Sequence, residues 1–174
     1  DGYEQRVHPC MVPASAPINH VSGVFNGIAV DGNFVDTTIY EGRGAGAGPT
    51  ASAVVADILD IARGNPVPVF GIPARNLKPA QTVDMGRHRG AYYVRLTVVD
   101  KPGVFADIAA ILRDHEVSME SVLQRGRAPG EPVSVVMTLH ESLEADVVKT
   151  LDAIASLDTV VEAPRMILVR RGVR

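Results

Sequence analysis

A short turn in the second half of the chain has the residue types needed to bind an amino acid. Asp100-Lys101-Pro102-Gly103 precedes a predicted helix, and its glycine lets the backbone approach a ligand closely. The amides of Val104, Phe105 and Ala106 would lie at the N-terminus of that helix, where backbone N–H groups bind carboxylates. Asp100 can accept hydrogen bonds from an α-amino group. The turn therefore fits an amino-acid zwitterion, and a plain strand-to-helix connection is the alternative.

A run of glycines in the first half of the chain, residues 42–48, allows two interpretations. The spacing Gly44-x-Gly46-x-Gly48 differs from the G-x-G-x-x-G phosphate loop, and no acidic residue closes a following strand about twenty residues on. We therefore expect a backbone loop that approaches a ligand bound mostly by another domain. A helix N-terminus behind it would favour an anion such as a dinucleotide phosphate. A tight connection with glycines for steric reasons is the alternative.

Composition excludes several other kinds of chemistry. The five histidines are scattered without metal-ligand spacing, and the single Cys10 excludes an internal disulfide and a cysteine metal cluster. We expect no catalytic residue and no metal site in this chain. The net charge is −3 and no basic stripe is present, so nucleic acid is not an expected partner. Without a signal peptide or an apolar run long enough for a bilayer, we expect no membrane association and a reducing, cytoplasmic location.

Hydrophobic periodicity predicts a βαββαβ module at 91–170. Strands alternate apolar and polar residues, while helices repeat apolar residues every three or four positions. The predicted strands are 92–99, 117–124, 132–140 and 160–169, and the predicted helices are 104–114 and 143–156. This order is the ferredoxin-like arrangement, a four-stranded antiparallel sheet with both helices on one face. The fold class is therefore α+β. We expect Val122, Val136 and Met166 on the other face, covered by a second copy of the module.

The first block has less regular signals. Residues 6–12 resemble a short strand, and 21–30 and 34–40 resemble a hairpin joined at Asp31-Gly32-Asn33. Pro49-Thr50 opens a predicted helix with an apolar face, and a short strand is predicted at 67–72. Residues 74–90 have the composition of a linker. We predict domains at 1–72 and 91–174, joined by a linker at 73–90. Because the sequence starts at Asp1 without methionine and enters strand-like residues directly, we expect a fragment of a larger enzyme.

The second half resembles an ACT domain. The resemblance rests on residues 92–109, which include the Asp100 to Gly103 turn, and on Val117-Ser118-Met119-Glu120-Ser121-Val122. ACT domains bind amino acids as regulatory effectors. The resemblance implies an effector site formed by Asp100, Gly103, Val104, Phe105, Ala106 and Ser118. Glu116 and Ser118 stand where many ACT domains have Gly and Asn, and Ser118 can hydrogen-bond a ligand. A homodimer through this domain is implied.

The first half resembles the end of the catalytic region of homoserine dehydrogenase. The resemblance rests on Val21-Ser22-Gly23-Val24-Phe25-Asn26-Gly27 and on residues 42–57. It implies an NAD(P)-dependent interconversion of L-homoserine and L-aspartate 4-semialdehyde, on the route to threonine, methionine and isoleucine, with the ACT domain sensing L-threonine. In this family the catalytic lysine, the homoserine-binding carboxylates and the sodium site precede the matched region. The late glycine loop touches the nucleotide, which implies cofactor contacts at Gly46 and then at Gly44.

These resemblances imply a C-terminal portion of the enzyme that is inactive alone, because the dinucleotide-binding domain is absent from it. Two other interpretations remain open from the sequence. One is a free-standing amino-acid-binding regulatory module, and the other is a structural dimerisation domain with a vacant effector site.

Overall fold

The computed structural model describes residues 2–64, 70–126 and 128–170. These residues form two compact units, one made of 2–12 together with 81–170 and the other within 13–80. The first unit is therefore discontinuous in sequence. This division differs from the predicted boundaries, because residues 2–12 and most of the predicted linker at 73–90 pair with the following domain.

The first unit is a five-stranded sheet covered on one face by two helices. Its elements are β1 (Cys10–Met11), β4 (Arg89–Val99), α2 (Val104–Asp114), β5 (Met119–Gln124), β6 (Pro132–Leu143), α3 (Glu144–Ala155) and β7 (Val160–Val169). The strands have the order β1-β7-β4-β6-β5 in the sheet. The four strands from β4 onward are antiparallel and the connections are β4-α2-β5 and β6-α3-β7, which confirms the predicted α+β class and ferredoxin-like order.

The hydrophobic core lies between the sheet and the two helices. Alternate residues of β4 and β6 face the helices because side chains along a strand point to opposite faces. The helices contribute the apolar stripe that repeats every three or four residues. The core is formed by Tyr92, Val94, Leu96, Val98, Val104, Ile108, Leu112, Val117, Val133, Val135, Met137, Leu139, Val147, Leu151 and Ile154. All of them belong to the first unit.

The face of the sheet turned away from the helices, the open face, differs in two positions from the prediction. Val136 lies on it, opposite Arg95, as expected. Met166, however, is paired with the buried Val94 and therefore faces the helices. Val122 is paired with the buried Met137 and also faces the helices. The prediction was wrong for β5 because a bulge near its start shifts the alternation by one residue.

In place of β1, the sequence predicted a longer strand at 6–12 that belonged to the domain at 1–72. Strand β1 comprises only Cys10–Met11 and pairs in parallel with Leu168 and Val169 of β7. Two residues give too short an alternation to reveal a strand, and the partner lies at the other end of the chain. The sheet edge therefore could not be predicted from local sequence.

The second unit contains a hairpin and one helix. Strands β2 (Phe25–Gly32) and β3 (Asp36–Arg43) are antiparallel, and α1 (Ala47–Ala62) follows them. Gly64, at φ 70°, stands two residues beyond the helix, as a C-terminal glycine does. Residues 67–69 of the strand predicted at 67–72 lie outside the described residues, and 70–72 form a turn rather than a strand.

No described residue of the second unit is buried. Its large apolar side chains are exposed, including Phe25, Ile28, Phe34, Val35, Tyr40, Val54, Val55, Ile58, Leu59 and Ile61. A single helix and a two-stranded hairpin are too small for an independent hydrophobic core. This unit therefore has the surface of a segment that packs against further protein.

Candidate functional site

The turn between β4 and α2 ends at a helix N-terminus that lacks a side-chain cap. Gly103 is the residue before α2, at φ 96°, a left-handed conformation that favours glycine. The first backbone bond of the helix runs from the Asp107 amide to the Gly103 carbonyl, at 3.0 Å. The amides of residues 104–106 therefore have no acceptor within the helix. Val104 is buried, whereas Phe105 and Ala106 are exposed. The N–H groups are arranged to bind a carboxylate.

The side chain and backbone of Asp100 form hydrogen bonds with other residues of the chain. Its carboxylate accepts a hydrogen bond from the Ala128 amide at 2.8 Å and a longer one from the Gln124 side chain at 3.4 Å. Its backbone bonds Glu131 and Gly130, both at 2.9 Å. Asp100 therefore attaches the loop between β5 and β6 to the start of the turn. A ligand ammonium group would share or displace these bonds.

Ser118 lies at the other end of the sheet from the turn. The amide of His140 donates to the Ser118 carbonyl at 2.9 Å, so Ser118 is beside the far end of β6, while Asp100 is beside its start. From Pro132 to His140 the strand extends about 26 Å at about 3.3 Å per residue. One chain therefore does not bring Ser118 together with Asp100, Gly103, Val104, Phe105 and Ala106.

Gly44 follows β3 and lies against the side chain of Asn26. Its amide donates to the Val24 carbonyl at 2.9 Å, which extends the hairpin by one bond. A Cβ atom on Gly44 would overlap the side chain of Asn26. Asn26 and Gly44 line a shallow cleft of about 320 Å³ together with residues of β2 and β3.

Gly46 is the residue before α1. Its φ of 121° and ψ of 150° belong to a region that only glycine occupies readily. The helix has no side-chain cap, and its first turn offers the amides of Ala47 and Gly48, since Pro49 has no N–H. The uncapped amides and the helix dipole favour an anion at this position. The steric interpretation of the glycines and the ligand interpretation are therefore compatible.

A polar cluster that the sequence did not predict lies in the first unit. The Arg6 guanidinium forms an ion pair with Glu144, and the Tyr92 hydroxyl donates to the same carboxylate at 3.1 Å. Burial first, and then the negative charge of Glu144, raise the pKa of Tyr92 well above its ordinary value. Arg6 and Glu144 are 138 positions apart, so no local pattern connects them.

Metal-binding clusters and membrane-spanning helices are both absent from the residues that the structure describes. Within 2–64, 70–126 and 128–170, no group of three or more His, Cys, Asp or Glu side chains could hold a metal ion. In the same part of the chain, no helix is both long and apolar enough to cross a membrane.

Comparison with known proteins gives two matches in the order that the sequence suggested. Residues 2–59 match the family described as homoserine dehydrogenase, and residues 92–159 match the ACT domain. A homoserine dehydrogenase of Neisseria gonorrhoeae is 37% identical over 172 residues, which cover 95% of this chain and 40% of that protein. One from Helicobacter pylori is 36% identical over 170 residues, covering 96% and 39%.

A solved structure agrees with these matches. The crystal structure of a homoserine dehydrogenase from Thiobacillus denitrificans superposes with a TM-score of 0.83 at 35% identity, covering 97% of this chain and 39% of that one. The chain spans about two fifths of the length of the relatives that it matches. Both resemblances inferred from the sequence are therefore confirmed.

Proposed function

We propose that this chain is the C-terminal, regulatory portion of a homoserine dehydrogenase. The whole enzyme would interconvert L-homoserine and L-aspartate 4-semialdehyde with NAD(P), on the route to threonine, methionine and isoleucine, in the cytoplasm. The observation that carries the proposal is a match at 35–37% identity that runs through both halves of the chain in one order. The two units have separate roles in this proposal.

The second unit contributes one side of the cofactor site. Gly46 and Gly44 bring the backbone close to the nucleotide, and the first amides of α1 are donors for its phosphate oxygens. NAD(P) supplies the hydride acceptor or donor for the reaction at the homoserine hydroxyl carbon. The donors in this chain would hold the cofactor in register. Most of the cofactor-binding surface would belong to a domain outside the chain.

The chain alone is proposed to be inactive. Hydride transfer requires cofactor and substrate to be held together, and no general acid or base is expected here. The exposed apolar side chains of α1 and the β2–β3 hairpin support this proposal, because they need cover from the rest of the enzyme.

The first unit is proposed to sense an amino acid, L-threonine. The uncapped amides of Val104, Phe105 and Ala106 would bind its carboxylate, and Asp100 would receive its ammonium group. Because Ser118 is about 26 Å from this turn along β6, a second copy would have to supply Ser118 to the same ligand. The proposed effector site therefore requires a homodimer.

The open face of the sheet is the surface proposed for that dimer. It carries Tyr93, Leu123, Val136 and Ile167 beside Arg95 and Arg165, which are directly opposite each other. Neighbouring like charges on a sheet are unfavourable, and an acidic side chain such as Glu162 from a second copy would offset them. A two-fold axis across the strands would bring the Asp100 end of one copy towards the Ser118 end of the other.

The cofactor proposal is tested in the full-length enzyme with matched glycine substitutions. We expect Gly44→Ala and Gly46→Ala to raise the KM for NADPH about tenfold, equivalent to about 1.4 kcal/mol. The control is Gly42→Ala, where an added Cβ meets nothing within 4 Å and φ is ordinary. Equal KM values in all three variants would contradict a cofactor role for this loop.

The second candidate function is a free-standing amino-acid-binding module. It is favoured by the hydrophobic core of the described residues, which lies in the first unit. The uncovered apolar surface of the second unit argues against it, since a free module has no use for such a surface. A threonine response in the chain, combined with no homoserine dehydrogenase activity in the full-length protein, would favour the module.

A further inference from the structure

The segment that precedes the second unit, residues 2–12, is bound along the edge of the first unit and is called the strap here. Its β1 residues pair with β7, and the Arg170 amide donates to the Met11 carbonyl at 2.9 Å. At its other end, the Tyr3 amide donates to Gln81 and the Val83 amide donates to Tyr3, both at 3.0 Å. The strap thus bonds both to the last strand and to the chain that returns from the second unit.

One ion pair and one side-chain hydrogen bond hold the middle of the strap. Arg6 forms the ion pair with Glu144, the first residue of α3, and its Nε donates to the Met85 sulfur at 3.2 Å. The hydrogen bond joins the Glu4 carboxylate to His88 Nδ1 at 2.7 Å. The Arg6–Glu144 pair is the less exposed of the two, with side chains 19% and 16% accessible, so solvent screens it less. Glu144 also keeps its bond to Tyr92.

Little apolar burial supports the strap. None of its described residues is buried. An open cleft of about 520 Å³ lies between strap residues 5–9 and the side chains of Met85, Tyr92, Glu144 and Met166 to Leu168. The attachment therefore depends on a few backbone hydrogen bonds, each worth about 1 kcal/mol net, and on these two side-chain interactions. Segments with few buried contacts open locally at a lower free energy than the whole domain.

The attachment of the strap affects the two covalent connections between the units. The strap continues directly into the second unit at Pro13, and the return passage at Gln81 to Val83 is bonded to Tyr3. One covalent connection between the units therefore follows one end of the strap, and the other is hydrogen-bonded to its opposite end. A change in its attachment changes how both connections are fixed to the first unit.

We propose that the strap detaches from the first unit as a local, reversible step controlled by the Arg6–Glu144 ion pair. Arg6 is a positioning residue in this step.

The detachment is tested by amide hydrogen exchange on the 174-residue chain. Arg6→Met keeps the apolar stem and removes the charge. We expect the exchange protection of the Tyr3, Val83 and Arg170 amides to fall at least about tenfold, equivalent to about 1.4 kcal/mol. Protection within β4 and β6 should not change. The control is Arg113→Met, since the partner of Arg113 among the described residues is its exposed neighbour Asp114.

Two results would overturn local detachment. One is unchanged protection of the strap amides in Arg6→Met. The other is an equal loss of protection in β4 and β6, because the strap would then separate only when the whole unit unfolds. The exchange experiment does not depend on any enzyme activity, so its outcome judges the strap even if the proposed function fails.

Discussion

The carboxylate of Asp100 forms a hydrogen bond within the protein and is also proposed to bind a ligand. It accepts the Ala128 amide across 28 positions of sequence, which fixes the loop between β5 and β6. The turn chemistry could be predicted because aspartate, proline and glycine act locally. The loop contact could not, since hydrogen bonds between distant positions leave no periodic signal.

Replacing Asp100 by alanine should therefore reduce stability without any ligand present. We expect Asp100→Ala to lower the free energy of unfolding by about 2 kcal/mol, since it removes a charge-assisted hydrogen bond and leaves the Ala128 amide unpaired. Urea unfolding of the chain measures this loss. Asp152→Ala, at an exposed position of α3, is the matched control. Equal stability of the two variants would show that the loop contact contributes nothing.

The raised pKa of Tyr92 predicts how the free energy of unfolding changes at alkaline pH. Burial and Glu144 raise the pKa of its hydroxyl in the folded chain above the ordinary value of about 10. The folded state therefore retains a proton that the unfolded state loses, so this contribution to stability is complete below pH 10 and declines as pH rises beyond it.

Tyr92→Phe should remove that contribution. Between pH 9 and pH 11, we expect the unfolding free energy of the native chain to fall more steeply than that of the variant. At pH 7 the variant should be less stable by about 1 kcal/mol, through loss of the bond to Glu144. Denaturant titrations at each pH give both quantities. Parallel pH profiles would contradict a raised pKa at this residue.

At the scale of elements, hydrophobic periodicity predicted the core residues but not the β-bulge in β5 or the short strand β1. Strand β4 alternates from Tyr92 to Val98 and strand β6 from Val133 to Leu139, so the buried residues in these stretches follow from sequence. Strand β5 contains a bulge, which moves Leu123 to the open face in place of Val122. The strap became part of the sheet through a two-residue pairing and an ion pair with a distant helix, and neither has a sequence signature.

The assignment of Leu123 to the open face predicts its effect on self-association. Leu123→Lys should raise the dimer dissociation constant of the chain at least about tenfold, because a buried ammonium group without a partner is costly. Val148→Lys is the control, since Val148 is about as exposed but lies on α3, on the other side of the sheet. Sedimentation equilibrium measures both. A larger effect of Val148→Lys would assign the dimer surface to the helices instead.

At the scale of the whole molecule, the two units differ in what they could do alone. The first unit has a continuous core and a turn suited to an amino acid. The second has no buried residue among those described and carries two glycines suited to a nucleotide that other parts of an enzyme would hold. We therefore propose that sensing is separable from catalysis, and that only sensing persists in this chain.

Calorimetric titration of L-threonine into the 174-residue chain tests this central proposal most directly. We predict a saturable heat for threonine, a weaker response or none for serine and isoleucine, and loss of the heat in Asp100→Ala. Absence of heat and of a thermal shift with every amino acid tested would contradict the proposal that this chain is an amino-acid sensor.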